Sequence, residues 1–201
     1  MQIQTFNVGV MSTNCYVVNC PETKEAIVID PGFDASYEAD QIIRYVDENT
    51  LKVKFIVNTH DHADHTRGDN VLKRKYSIPI CIHAYDADFL NDLGEETVPK
   101  NILLEDEELL KFGKVILKVM HTPGHTLGSI SLVGAKIVFT GDALFAGGIG
   151  RTDFLGGSDS DMKRSLEKLL CLPENYVVYP GHGVVSMIGK EKHFNPFLRW
   201  L

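Results

Sequence analysis

Three histidines and two aspartates lie within six consecutive residues of the chain, in Thr59-His60-Asp61-His62-Ala63-Asp64-His65. Neutral imidazoles and carboxylates at this density offer little apolar area to a core and compete for the same donors. A cluster of nitrogen and oxygen donors reads instead as the ligand set of a divalent metal ion. The preceding run, KFIVNTH, reads as a β-strand, and continued alternation sends His60, His62 and Asp64 to one side. His65, in the following turn, then faces a neighbouring position, so two adjacent ions are expected. Asp61 alternates away and is not counted as a ligand.

Four apolar, largely β-branched runs end in such a residue: KFIVNTHDHADH, VILKVMHTPGH, KIVFTGD and YVVYPGH. If these ends share one edge of the fold, His60, His62, Asp64, His65, His125, Asp142 and His182 converge there. That set exceeds the needs of one tetrahedral ion and suits two. His60, His62 and His125 form one site. Asp64, His65 and His182 form the other, with Asp142 bridging because only a carboxylate has two oxygens to share. Two ions about 3.5–4 Å apart lower the pKa of a water held between them from about 15.7 to near 7 and polarise a carbonyl. Asp64 is the residue expected to orient the resulting hydroxide and accept its proton.

The elements that carry these ends are legible in outline. Strands are expected at IQTFNV, CYVVNC and EAIVID, then an amphipathic helix from Ala35 to Glu48 with Ile42, Ile43 and Val46 on its buried stripe. After the His-rich loop come a helix over Asn70 to Tyr76, a strand at PICIHA and a short helix from Asp86 to Leu93. The second half brings strands at LLKFG, VILKVMH, ISLVG, KIVFTGD and YVVYPGH. Between the last two, a helix reaching about Leu170 is opened by Ser158, with Asp161 three residues on as in a capping box. Strands dominate both halves, so two mixed sheets facing each other with helices on the outer faces are expected. A doubly wound parallel sheet fits less well, since three strands precede the first helix and no Gly-x-Gly-x-x-Gly follows a strand.

With 201 residues, 44% of them hydrophobic and 23% charged, the chain suits one sizeable globular domain, residues 1–201, rather than a disordered or fibrous class. A net charge of -7 argues against nucleic acid as a partner. No run approaches the roughly 20 apolar residues of a membrane span, and the first residues lack the form of a secretion signal. A cytoplasmic location is therefore expected, with Cys15, Cys20, Cys81 and Cys171 as buried reduced thiols.

Thr59-His60-x-His62-x-Asp64-His65, Thr122-Pro123-Gly124-His125-Thr126-x-Gly128-Ser129, Gly141-Asp142 and Gly181-His182-Gly183 together resemble the metallo-β-lactamase superfamily. The resemblance spans nearly the whole chain. It implies a four-layer αββα sandwich and a binuclear metal centre at the seven positions named above. Asp30, in Ile27-Val28-Ile29-Asp30-Pro31-Gly32, matches the family's early aspartate, which supports the metal loop without ligating. Gly150-Arg151-Thr152-Asp153-Phe154 and Ser186-x-x-Gly189-x-Glu191-x-x-x-Asn195-Pro196-Phe197-Leu198 resemble short bacterial glyoxalase II-like hydrolases, which cleave the thioester of hydroxyacylglutathione.

The expected function is thus hydrolysis of a small-molecule thioester with two divalent ions, zinc first and iron or manganese admissible. The main rival is an oxidoreductase. Persulfide dioxygenases resemble the same loop and Gly150–Phe154 segment, and hold one iron at the positions of His60, His125 and Asp142. A lactone hydrolase is a further alternative, and a non-catalytic metal-binding module another. Arg151 either clamps a substrate carboxylate or pairs with Asp153. Phe145 and Phe154 either line an acyl pocket or cover the core. His83 and His121 read as hydrogen-bonded structural histidines, and His193 as a surface residue.

Overall fold

The computed structural model describes residues 1–87 and 101–199. Its first sheet contains β1 (Gln2–Val8), β2 (Thr13–Asn19), β3 (Glu25–Ile29), β4 (Lys52–Val57), β5 (Ile80–His83) and β6 (Ile102–Leu104), in that spatial order. The β1–β2 and β2–β3 pairs are antiparallel; from β3 to β6 the pairs are parallel. Helices α1 (Ser36–Glu48), α2 (Ala63–Thr66) and α3 (Asp69–Tyr76) fill the crossovers.

The second half begins with β7 (Leu109–Phe112), β8 (Val115–His121), β9 (Ile130–Gly134) and β10 (Ile137–Gly141). A small hairpin follows, β11 (Leu144–Phe145) and β12 (Gly148–Ile149), then α4 (Asp159–Leu170), β13 (Val177–Pro180), β14 (Ser186–Met187) and α5 (Ile188–Phe194). The second sheet runs β14-β13-β10-β9-β8-β7, and its β10–β13 pair is parallel while the others are antiparallel.

Alternation along buried strands explains the layering. Tyr16, Val18 and Cys20 from the β2 region, with Ile27 and Ile29 of β3, face the second sheet, where they meet Leu117, Val119, Leu132 and Phe139. The intervening Cys15, Val17 and Val28 point outward and pack with Ala39, Ile42 and Val46 of α1 and Leu72 of α3. On the far side, Val138 and Val178 meet Met162, Leu166 and Leu169 of α4 and Ile188 of α5. Both faces of both sheets are covered, which gives the four-layer αββα sandwich of two mixed sheets.

Helix boundaries fall within a residue of expectation at α1, α3 and α4. Ile42 and Val46 are fully buried, whereas Ile43 packs only at the margin of that core. Glu38 caps α1, taking the backbone N–H groups of Asp34, Ala35 and Gly9. At α4, Ser158 Oγ accepts the Asp161 N–H at 3.2 Å, but the Asp161 carboxylate turns to Arg164, so only half of the expected capping box forms. Of the helix expected over Asp86 to Leu93, Asp86 closes a 3-10 turn, Ala84–Asp86, and residues 88–93 lie outside the described residues.

The thiols also depart from expectation at one position. Cys15, Cys20 and Cys81 are free and buried, but Cys171 is free and exposed, because it follows the last turn of α4 on the solvent side. Cys15 and Cys20 belong to opposite faces of the first sheet, which separates their thiols. Among the described residues, no helix is long and apolar enough to cross a membrane.

Candidate metal centre

The seven side chains arrive from five segments at one edge of the sandwich. His60 and His62 lie in the loop after β4, Asp64 and His65 on α2, His125 between β8 and β9, Asp142 just after β10 and His182 just after β13. Strand alternation does not place the first four, contrary to the expectation for KFIVNTH. β4 ends at Val57, and the Thr59 N–H turns to the Asp30 carboxylate at 2.7 Å instead of a neighbouring strand. The chain then folds over the strand ends, and a single helical turn sets Asp64 beside His65. Backbone crowding here depends on glycine: a Cβ at Gly181 would stand 2.1 Å from Asp142 Oδ1, and one at Gly150 1.8 Å from the Asp142 carbonyl oxygen.

The outer nitrogens of four imidazoles meet acceptors, which fixes their tautomers. His125 Nδ1–H donates to the Arg151 carbonyl at 2.7 Å and His182 Nδ1–H to the Met11 carbonyl at 3.2 Å. His65 Nδ1–H donates to Asp30 Oδ2 at 3.0 Å. The Thr59 hydroxyl donates to the same carboxylate oxygen at 2.7 Å, so it accepts from His60 Nδ1–H at 3.1 Å. With these protons outward, each Nε2 points inward, where it can hold a metal ion or, without one, a proton.

Inward nitrogens face one another across the centre. His65 Nε2 lies 3.2 Å from His182 Nε2, and both rings carry their Nδ1 protons outward, so a proton or a metal cation must lie between these two nitrogens. His62 Nδ1 lies 2.8 Å from His125 Nε2, to which it can donate as Nδ1–H. His60 Nε2 and Asp142 Oδ1 are buried without a hydrogen-bond partner, a costly state for polar atoms unless a cation satisfies them. Asp142 Oδ1 stands 3.5 Å from His65 Nε2, and Oδ2 stands 3.5 Å from both His125 Nε2 and His182 Nε2. Asp142 thus touches both of the ligand groups expected from spacing.

Electrostatics point the same way. Burial works against a charge on His65, yet the carboxylates of Asp30, Asp142 and Asp64 outweigh it and push its pKa up to about 9. Burial also opposes ionisation of Asp64, but its hydrogen bond with His182, the nearby His65 and the Thr13 hydroxyl hold that carboxyl well below its usual range. His60 shifts down because burial and the surrounding imidazoles disfavour its protonated form. The pocket stabilises positive charge at its centre while keeping an innermost imidazole neutral. His60, His62 and His125 form one compact trio and Asp64, His65 and His182 another; a third joins His60, His65 and Asp142, with ligand atoms within 4.8 Å in each. This donor set fits two divalent cations.

Above the cluster opens a cavity of about 860 Å³, whose wall includes Met11, Phe145, Ile149, Phe154 and Leu155. Phe145 and Phe154 therefore line the cavity; their rings stand 6.1 Å from His182 and 5.5 Å from His62, respectively. The Arg151 side chain pairs with Asp153 at 2.9 and 2.8 Å and lies 4.2 Å from the Phe154 ring centroid. Asp61 lines the wall without joining a ligand trio. His83 and His121 stack at 4.2 Å outside the centre, and His193 pairs at the surface with Glu174.

Several supporting residues carry no sequence signal of their role. The Thr13 hydroxyl donates to Asp64 Oδ2 at 3.1 Å. The buried Asp86 carboxylate accepts from the Thr126 hydroxyl at 2.6 Å and the Gly128 N–H at 2.7 Å, pinning the loop that carries His125. Glu191 of α5 accepts from the Gly147 N–H at 2.7 Å, and Asn195 donates to the Gly148 carbonyl at 3.0 Å, so the C-terminal segment clasps the β11–β12 hairpin. The spacing of Glu191 and Asn195 offers a signal, but nothing in it names their partners.

Residues 8–182 match the family described as "Metallo-beta-lactamase superfamily". The hydroxyacylglutathione hydrolase GloC of Haemophilus influenzae is 33% identical, with 98% of each chain covered. The mitochondrial persulfide dioxygenase ETHE1 of Mus musculus is 34% identical, over 92% of this chain and 71% of that protein. The crystal structure of BLEG-1 B3 metallo-beta-lactamase superposes with a TM-score of 0.87 at 34% identity, covering 98% of this chain and all (100%) of that one. A di-iron-bound form of TTHA1623 gives 0.82 at 30% identity, over 97% and 100% of the two chains. Sandwich, converging ligand set and sequence matches agree: the chain belongs to the metallo-beta-lactamase superfamily.

Proposed function

We propose that this protein is a thioester hydrolase of the glyoxalase II kind that works with two divalent metal ions, zinc first and iron or manganese as alternatives. His60, His62 and His125 would hold one ion, Asp64, His65 and His182 the other, and Asp142 would be shared. The observation that carries this reading is the complete second trio, with Asp142 touching both groups. A pair of divalent ions, when bound, acidifies water at neutral pH and polarises a carbonyl.

The chain's own groups supply the rest. Asp64, ionised on the cavity wall, orients the attacking water and takes its proton only in passing, since a carboxyl held this acidic gives the proton up readily. The Thr13 hydroxyl fixes its carboxylate. As the C–S bond breaks, that proton passes to the departing sulfur, so water and thioester become acid and thiol. Arg151 acts through its carbonyl, which keeps His125 in the ligating tautomer. The substrate is a small molecule, and hydroxyacylglutathione is the first one to assay because GloC carries that name.

Persulfide oxidation is the second reading, favoured by the identity with mouse ETHE1. The two readings separate at His182, which the one-iron ligand set does not use. Metal analysis of the purified protein is paired with thioester-cleavage and oxygen-uptake assays, on the native chain and on His182→Ala. Two equivalents of metal, thioester turnover and its loss in the variant are expected. One iron, oxygen uptake with a persulfide and no dependence on His182 would replace the hydrolase with the oxygenase.

A further inference from the structure

We propose that the site prefers thioesters whose arm beyond the reacting carbonyl and sulfur is uncharged and apolar, and turns over glutathione thioesters at lower efficiency; this rests on the hydrolase reading. The cavity is large for a small hydroxyacyl group, and beside the ligand residues its wall includes the apolar side chains of Met11, Phe145, Ile149, Phe154 and Leu155. Met11 and Leu155 are exposed at its mouth, Leu155 completely. Isolated exposed apolar residues are ordinary, but here they rim the cavity that contains the ligand cluster.

Charge is scarce on that wall. Outside the ligand trios and Asp142, the charged residues lining it are Asp61 and Arg151. The Arg151 guanidinium is engaged twice, by both oxygens of Asp153 and by the face of Phe154. The Arg151–Asp153 pair is exposed and therefore weak, so one substrate carboxylate could displace Asp153. Glutathione brings two carboxylates and an ammonium; on the described wall Arg151 can answer one carboxylate and Asp61 the ammonium, which leaves the second carboxylate facing no cationic side chain. Apolar arms meet no such shortage. Each methylene that leaves water against this wall is worth about a fourfold gain.

The test uses the metal-loaded protein and one acyl group, lactoyl, on propanethiol, butanethiol, pentanethiol, hexanethiol and glutathione. We expect kcat/KM to rise about two- to fourfold per methylene and the hexyl ester to exceed the glutathione ester at least tenfold. Leu155→Lys should flatten the chain-length series, and Asp153→Asn, by freeing Arg151, should raise kcat/KM for the glutathione ester severalfold. A glutathione ester that matches or beats the hexyl ester, or no dependence on chain length, overturns the proposal. Calorimetric binding of the matching thioethers, in which a methylene replaces the carbonyl, provides an arm independent of turnover. If no thioester is cleaved, the hydrolase reading fails, while the order of thioether affinities still decides the preference for apolar arms.

Discussion

Asp30→Asn removes a charge while preserving shape, and the hydrogen bonds around that side chain dictate the cost. One carboxylate oxygen takes the Thr59 N–H; the other takes the Thr59 hydroxyl and His65 Nδ1–H. An amide can accept on only one side. If its oxygen keeps Thr59 N–H, its NH2 faces His65 Nδ1, and the imidazole must move its proton to Nε2, which points it into the centre. In the opposite orientation two N–H groups oppose each other across the present 2.7 Å contact. Either way at least one charge-assisted hydrogen bond in a buried site is lost, about 2–3 kcal/mol. For a chain of this size that lowers Tm by about 4–12 °C. Disturbing the partner behind a ligating histidine typically costs about 10–100-fold in metal affinity. Differential scanning calorimetry and metal titration against a competing chelator measure the two effects. A variant with native Tm and metal affinity within twofold of the native protein would refute the assignment of Asp30 as the residue that fixes His65.

His62→Ala and Asp142→Ala should each lower metal content and thioester hydrolysis together, whereas Cys81→Ala, in the inter-sheet core, should leave turnover intact and cost only a small loss in Tm; retained hydrolysis in the first two contradicts their roles. Asp86→Ala strips two hydrogen bonds from the loop carrying His125, so metal affinity should fall about tenfold, with Asp86→Asn partly restoring it; chelator competition decides, and a Tm loss with native affinity would make Asp86 merely structural. Burial and the stacked His121 lower the pKa of His83 below its unfolded value of 6.5, so the unfolded chain binds protons more readily and stability falls as pH drops below about that value. Thermal melts of the metal-free protein from pH 7.5 to 5 should show a shallower decline for His83→Asn, and parallel curves would discount this histidine.

Local order in the chain records some of these elements and not others. Continuous apolar runs mark β3 and β10 because each is buried on both faces, and the ligands stand out because they follow such runs. The β11–β12 hairpin leaves no period to detect, since each of its strands has two residues. The turn of α2 reads as continued strand because its residues are chosen as ligands rather than for helix propensity, and the tie between Thr59 and Asp30 that ends β4 spans 29 positions. The carbonyls of Met11 and Arg151, which fix two histidine tautomers, are invisible in sequence because every residue has a carbonyl. Asp86 escapes for a similar reason: its partners lie 40 and 42 residues away.

The grip of Glu191 and Asn195 on the hairpin means that the tail of the chain is part of the binding pocket's scaffolding. Substitutions along α5 can retune which molecules are accepted while leaving every metal-facing atom untouched.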